Sequence, residues 1–159
     1  PDNFLVDDQG KTKLIDFALC QPSRTGFLAK LGFGKPKSVA GTRSYMSPEQ
    51  IRRRPLDIRS DVYSLGCMYF EVVTGKLPFT GNSPEQLLNK HLRAKAPPAN
   101  TLNKNVTQEF SDLVEDMLAK KKEKRPNNLT VVLRNLSSMR VFRNKPLHPD
   151  QIEAARDDM

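Results

Sequence analysis

The stretch Gly41-Thr42-Arg43-Ser44-Tyr45-Met46-Ser47-Pro48-Glu49 decides how this chain is interpreted, because other short motifs flank it at fixed intervals. Ile15-Asp16-Phe17-Ala18 lies about 25 residues upstream, and Asp61-Val62-Tyr63-Ser64-Leu65-Gly66 begins twelve residues after Glu49. Lys124-Arg125-Pro126 follows further on. Each motif is weak by itself, so the interpretation depends on their shared order and spacing.

The composition is that of an ordinary soluble domain: 159 residues, of which 37% are hydrophobic and 28% charged. No run approaches ~18 consecutive apolar residues, so we expect no membrane span. Cys20 and Cys67 form no CxxC pair, and His91 and His148 are isolated, so no zinc site is predicted. Thiols without an evident disulfide framework favour a reducing compartment, and we expect a cytoplasmic protein.

The net charge of +8 raises the alternative of a nucleic-acid-binding protein. Two basic clusters, residues 52–54 and 120–122, contribute to that charge. Both lie near predicted helix C-termini, where the helix dipole favours cations. No aromatic residues interleave with them to form a stacking platform, so we predict no nucleic-acid partner.

Periodicity predicts a β-hairpin, a long loop and then about five helices. Two apolar runs, residues 4–6 and 13–15, flank the turn residues Asp7-Asp8-Gln9-Gly10, and residues 19–46 have no clear periodicity. The helix N-caps are predicted at Ser47, Ser60, Ser83, Thr107 and Asn128. The helix after Ser60 is apolar nearly all round and is expected to be buried as far as about Thr74, with Gly75 after its end. Residues 96–105 are predicted as loop.

Two later helices carry apolar residues at helical spacing. One apolar face comprises Phe110, Leu113, Val114, Met117 and Leu118, and the other comprises Leu129, Val132, Leu133 and Leu136. The sequence therefore predicts a mainly α fold whose helices pack through these faces.

Together the motifs resemble the C-terminal lobe of a eukaryotic-type Ser/Thr protein kinase. The sequence of residues 45–50 is similar to that of bacterial members of this family. The resemblance covers about residues 1–138. It implies a mainly α kinase-like C-lobe with a short β-hairpin, a long activation loop and five to six helices. We expect residues 1–139 to be a partial kinase domain and residues 140–159 to be a polar C-terminal tail. Pro1-Asp2-Asn3 resembles the end of the catalytic loop, so the resemblance implies that the N-lobe and the general base precede Pro1.

Asn3 and Asp16 flank the predicted hairpin, whose turn brings its two ends together. Both carry oxygen donors of the kind that Mg²⁺ prefers. The resemblance implies that they bind Mg²⁺, or Mn²⁺ in its place, beneath ATP, and that Leu5 and Ile15 line the adenine pocket. The alternatives are local hydrogen bonds for the two polar residues and ordinary strand packing for the two apolar ones.

Residues 16–49 resemble the activation segment. Ser23, Thr25 and Ser38 lie in a basic setting and are candidate phosphosites, the alternative being solvated loop residues. Thr42 matches a family position that supports the bound substrate and favours Ser/Thr over Tyr.

Three further positions are architectural in the resemblance. Glu49 and Arg125 are expected to form a partly buried ion pair that fastens the activation segment to later helices. Asp61 is expected to hydrogen-bond the catalytic-loop backbone from the start of the central helix, and it also suits the helix dipole there.

Two functional classes are open. The leading hypothesis is a Ser/Thr kinase fragment that acts, within the intact protein, on Mg-ATP and a protein substrate. We expect the fragment to be inactive alone, because these 159 residues lack a Gly-rich loop, a strand Lys and a catalytic-loop His-Arg-Asp. The alternative is a pseudokinase or scaffolding module that binds protein partners. Ala18 stands where the family pattern has Gly, which restricts the backbone and is compatible with that alternative.

Overall fold

The computed structural model describes residues 3–16 and 43–146. A β-hairpin comes first, with β1 at Phe4–Val6 and β2 at Thr12–Leu14. The described helices follow as α1 (Pro48–Ile51), α2 (Ile58–Thr74), α3 (Pro84–Arg93), α4 (Ala99–Leu102), α5 (Gln108–Met117) and α6 (Leu129–Ser138). Short 3-10 turns form at Arg43–Tyr45 and Lys122–Lys124. The predicted mainly α fold with a short hairpin is confirmed.

The hairpin is held by its turn and its antiparallel register. The Asp7 carboxylate accepts hydrogen bonds from the backbone N–H groups of Gln9 (3.1 Å) and Lys11 (2.8 Å). Gly10 has a φ of 77°, a conformation that glycine adopts without steric penalty. Phe4 pairs with Leu14 and Val6 with Thr12. The side chains of residues 3–16 are all exposed, so local bonding rather than core packing defines this element.

Side-chain caps fix where the helices begin. Ser47 and Gln50 form the predicted capping box at α1, with the Ser47 N–H donating to Gln50 Oε1 at 2.8 Å. Ser83, Thr107 and Asn128 cap the N-termini of α3, α5 and α6 as predicted, each by accepting a backbone N–H. These local signals are readable from the sequence because a cap bonds residues only two or three positions away.

The predicted start of the central helix is wrong by three residues. Helix α2 begins at Ile58, and its N-cap is Asp57, whose carboxylate accepts the Arg59 N–H at 3.0 Å. Asp is as good a cap as Ser, and here an Asp that the prediction did not consider begins the helix three residues earlier. Ser60 lies inside the first turn and is buried, where its hydroxyl has another partner.

Helices α2 and α5 pack closely at the centre of the helical core. Gly66 makes this approach possible, because a Cβ added there would lie 2.8 Å from Met117 Cβ. The α5 face predicted from periodicity is confirmed, since Phe110, Leu113 and Val114 are all buried, as are Met117 and Leu118.

Two other burial predictions are only partly right. Val72 of α2 is 65% exposed, so this helix has an open side. In α6 only Val132 is buried, whereas Leu129 and Leu133 are 41% and 64% exposed. Periodicity identifies an apolar stripe but does not show how much of it a neighbouring element covers.

The segments predicted as a loop and as a polar tail contain a helix and a β-bridge among their described residues. Residues 99–102 form α4, inside the predicted loop. After α6, Phe142 forms a β-bridge with Val106, and the Thr107 N–H donates to the Val141 carbonyl at 3.0 Å. Val141 and Phe142 also pack against the main hydrophobic cluster. Among the helices of the described ranges, none combines the length and hydrophobicity that a bilayer crossing requires.

Candidate active site

The hairpin brings Asn3 and Asp16 to its open end. The Ile15 N–H donates to the Asn3 carbonyl at 2.9 Å, which extends the β1–β2 pairing by one position. Asp16 is the next residue, so its backbone lies beside that of Asn3 at the end of the hairpin. The structure therefore places the two predicted metal ligands near each other.

Asp16 has a left-handed backbone conformation, with a φ of 63°. In an extended strand, neighbouring side chains point to opposite faces. The left-handed residue interrupts that alternation directly after Ile15. A non-glycine residue in this region costs roughly 1–3 kcal/mol, and such residues cluster at functional sites.

The donor set at this end of the hairpin suits a hard cation. Asn3 and Asp16 are exposed and offer amide and carboxylate oxygens. Mg²⁺ binds few protein carboxylates and fills its remaining positions with water and phosphate oxygens. Within residues 3–16 and 43–146, no three His, Cys, Asp or Glu side chains are grouped so that they could hold a metal ion.

Leu5 and Ile15 lie on one face of the hairpin with Asn3. Asn3 lies opposite Ile15 and Leu5 opposite Lys13, so the alternation of strand side chains puts these positions on a common face. Leu5 is 52% exposed and Ile15 is 37% exposed. Both side chains are thus accessible, and their contact with adenine stays a prediction.

Glu49 and Arg125 form a buried ion pair between α1 and the segment before α6. Arg125 Nη1 and Nη2 donate to the two Glu49 carboxylate oxygens at 2.6 and 2.9 Å. Glu49 is 5% and Arg125 3% exposed. Ser60 Oγ also donates to Glu49 Oε1 at 2.7 Å, which joins the first turn of α2 to the pair.

Two further guanidinium hydrogens of Arg125 bind backbone carbonyls. Nη1 donates to the Arg59 carbonyl and Nε to the Ala119 carbonyl, both at 2.8 Å. Burial by itself would raise the pKa of Glu49, but the hydrogen bonds from Arg125 and Ser60 outweigh it and lower the pKa. Glu49 is therefore ionised at neutral pH, and the pair holds α1 against α2 and the segment before α6.

A model of the protein kinase domain matches residues 1–136. The chain belongs to the protein kinase domain family. This match covers the hairpin and the helices up to α6, and it agrees with the resemblance that the motifs carry.

Bacterial serine/threonine-protein kinases are similar to this kinase domain. A probable serine/threonine-protein kinase of Clostridium perfringens is 36% identical over 120 residues, which are 76% of this chain and 17% of that protein. PknL of Mycobacterium tuberculosis is 38% identical over 114 residues, covering 72% of this chain and 27% of PknL. PknB of Mycolicibacterium smegmatis is 36% identical over 127 residues, 79% of this chain and 20% of PknB. The chain thus spans between 17% and 27% of the length of these relatives.

Several predicted site residues of the kinase domain lie outside the described residues. These are the substrate-platform residue Thr42, the departure Ala18 and the candidate phosphosites Ser23, Thr25 and Ser38. Asp61 is described: it lies in the first turn of α2 and its side chain is exposed. Its expected bond to the catalytic-loop backbone stays a prediction.

Sequence motifs did not identify the contacts that hold the segment just after Thr42. The Tyr45 hydroxyl donates to Glu71 Oε2 at 2.6 Å, and Ser64 Oγ donates to the Tyr45 carbonyl at 2.8 Å. Both partners come from α2, one at the third and one at the tenth residue after Asp61. The common role of these two α2 residues can be recognised only once Tyr45 is known to lie beside the helix.

A buried His91 was also missed. Its Nδ1 lies 2.9 Å from the Tyr63 hydroxyl, and the ring contacts Phe79 edge-on with centroids 4.9 Å apart. Burial and the nearby Lys120 ammonium lower the pKa of His91 to about 4. A single histidine in a polar helix gives no sequence signal of this kind.

Proposed function

We propose that the longer protein carrying this chain is a Ser/Thr protein kinase, which transfers the γ-phosphoryl group of Mg-ATP to a protein Ser or Thr hydroxyl. Support comes from the family match over residues 1–136 and from the named kinases that are similar to the chain. The observation that carries the proposal is the placement of Asn3 and a left-handed Asp16 at one end of the hairpin. We also propose that the reaction takes place in the cytoplasm, since two cysteines 47 residues apart without a CxxC pair fit a reducing compartment.

Each part of the chain has a distinct role in this proposal. The bound Mg-ATP supplies the transferable phosphoryl group and the charge that the metal neutralises. Asn3 and Asp16 provide the oxygen ligands that orient the metal. Leu5 and Ile15 form the apolar floor on which the adenine base rests. Thr42 supports the substrate backbone. The Glu49–Arg125 pair holds α1, which begins six residues after Thr42.

The chain alone is proposed to be inactive. Phosphoryl transfer needs a residue that orients the substrate hydroxyl and a Lys that holds the nucleotide phosphates. The motifs that would supply them, a catalytic-loop His-Arg-Asp and a strand Lys, are not present in the 159 residues. Incorporation of labelled phosphate into a protein substrate by the purified 159-residue chain would contradict this statement.

The metal-ligand assignment is tested in the longer protein by Asp16→Asn and Asn3→Ala. Each is expected to lower phosphotransfer by at least about 100-fold, because a lost charge-stabilising ligand acts directly on the transition state. Asp8→Asn removes an exposed turn carboxylate from the same hairpin and is the matched control. Thermal shifts induced by ATP with and without Mg²⁺ report binding separately from catalysis.

Equal effects of Asp8→Asn and Asp16→Asn would refute the ligand assignment. A wild-type protein that shows a nucleotide-induced thermal shift but no phosphotransfer to any protein would instead favour a scaffolding module. The two readouts therefore separate an incorrect residue assignment from an incorrect activity.

A further inference from the structure

A relay of three side chains links α2, α3 and the segment after α5. Lys120 Nζ donates to the Tyr63 hydroxyl at 3.4 Å, and that hydroxyl lies 2.9 Å from His91 Nδ1. Tyr63 and His91 are both 0% exposed. The Lys120 ammonium also lies 4.0 Å from the centre of the Phe79 ring, which packs against the same imidazole.

The relay determines which imidazole nitrogen carries the proton. The Tyr63 oxygen accepts from Lys120, and its own hydrogen needs an acceptor because the group is fully buried. Nδ1 of a neutral His91 protonated at Nε2 is that acceptor. The opposite tautomer would leave both the Tyr63 O–H and the Nε2 lone pair unsatisfied. His91 is therefore assigned as the neutral Nε2–H tautomer.

This assignment leaves a buried donor without a full hydrogen bond. Nε2 of His91 is the one buried side-chain nitrogen or oxygen in the described residues that has no partner. The backbone of Ser44 nevertheless acts on the imidazole in the direction that raises its pKa, as a nearby carbonyl acceptor does. Nε2 is therefore a buried donor without a partner, on a helix that contacts the turn containing Ser44.

Ser44 belongs to a segment that α2 binds through two side chains. The flanking Tyr45 is bound through its carbonyl by Ser64 and through its hydroxyl by Glu71. The turn Arg43–Tyr45 also contacts α3, the helix that carries His91. A donor on α3 would add a second helix to this set of bonds and fix the turn from both sides.

We propose that His91 is a positioning residue: in solution its unpartnered Nε2–H forms a hydrogen bond with the Ser44 carbonyl and holds the segment Arg43–Tyr45 in place for the protein substrate. The proposal rests on the kinase function proposed above, since the segment directly follows Thr42. Charged and titratable groups facing His91 are Lys120 and Tyr63, and no carboxylate is among the groups that act on its pKa.

Nuclear magnetic resonance of the 159-residue chain tests the contact without any catalytic assay. The chain has only two histidines, so His148→Gln assigns the imidazole signals. At pH 7 we expect a neutral His91 protonated at Nε2, with slow exchange of that proton and a nuclear Overhauser contact to Ser44. A neutral Nδ1–H tautomer, or a charged imidazolium, would overturn the proposal.

Two variants separate the roles of the ring nitrogens. His91→Gln keeps an N–H near the position of Nε2, whereas His91→Asn keeps only a group near the position of Nδ1. The amide signals of Ser44 and Tyr45 are expected to move in His91→Asn and to stay near their wild-type positions in His91→Gln. Movement of both signals in both variants, or in neither, would overturn the assignment.

Kinetics of the longer protein test the positioning role. His91→Asn should raise KM for the protein substrate roughly tenfold, the factor for one neutral hydrogen bond, and leave KM for ATP unchanged. His91→Gln should restore most of that loss. An unchanged substrate KM in His91→Asn would overturn the role even if the contact exists. A wild-type protein without phosphotransfer would refute the kinase function, and the resonance experiment would still decide the contact.

Discussion

Replacement of Arg125 by Met should destabilise the helical part of the chain strongly. Arg125 makes four hydrogen bonds, two to Glu49 and one each to the Arg59 and Ala119 carbonyls. Its loss leaves the Glu49 carboxylate buried, with Ser60 as its remaining side-chain partner. Removing one member of a buried pair costs about 3–5 kcal/mol.

Urea unfolding followed by circular dichroism measures this cost. With a slope of about 2 kcal/mol per molar urea, the midpoint should fall by roughly 2 M. Arg125→Lys keeps the charge but cannot reproduce the paired geometry, so its loss should be intermediate. The double variant Glu49→Gln with Arg125→Met should cost less than the sum of the two single changes, since no unpaired charge remains.

The pH dependence gives a second, independent check. In the wild type the pKa of Glu49 is lowered, so its contribution to stability is present above its usual value of 4.5 and is lost as the pH falls through the lower native pKa. In Arg125→Met the burial that remains raises that pKa, so the carboxyl becomes neutral more easily in acid. The stability difference between the two proteins should therefore shrink between pH 7 and pH 4. A loss below 1 kcal/mol at pH 7, or a difference that does not change with pH, would refute this reasoning.

Three further outcomes are expected of the 159-residue chain. The native pKa of His91 is about 4 against a usual value of 6.5, so between pH 6.5 and pH 4 the unfolded chain binds more protons than the native chain. The unfolding free energy should therefore fall by about 3 kcal/mol as the pH drops from 6.5 to 4. Urea unfolding across this pH range should show that decrease, and His91→Gln should remove it. Gly66→Ala should cost about 1–3 kcal/mol, because its Cβ would press on Met117, and a thermal midpoint equal to that of the wild type would contradict the close approach of α2 and α5. Asp57→Ala should cost about 1 kcal/mol by removing the α2 cap, and Asp57→Asn, which retains a capping oxygen, should recover part of it in the same assay.

Local signals made most of the helical framework predictable. Ser47, Ser83, Thr107 and Asn128 cap their helices through bonds to residues two or three positions away, which a sequence displays directly. Glu49 and Arg125 were named because each belongs to a recognisable motif, although 76 residues separate them. The structure then supplies their bidentate contact and the carbonyls that complete it.

Contacts that depend on tertiary proximity were not predictable in the same way. His91 and Tyr63 are 28 residues apart, and Lys120 lies 57 residues from Tyr63, with no motif linking them. The exposed fraction of Leu133 depends on which surfaces α6 meets, not on its own spacing. The start of α2 was misplaced because Asp57 and Ser60 are residue types with similar preference for the N-cap, and only the backbone conformation shows that Asp57 occupies it.

The exposed apolar side chains of the hairpin have a thermodynamic consequence for cation binding. An isolated two-stranded hairpin is marginally stable in water, and here Phe4, Leu5 and Val6 are 39%, 52% and 64% accessible. Any surface that shelters these residues would stabilise the hairpin and thereby preorganise the oxygen atoms of Asn3 and Asp16. Linkage makes this coupling reciprocal, so a divalent ion held by those oxygens would in turn strengthen attachment of the sheltering surface.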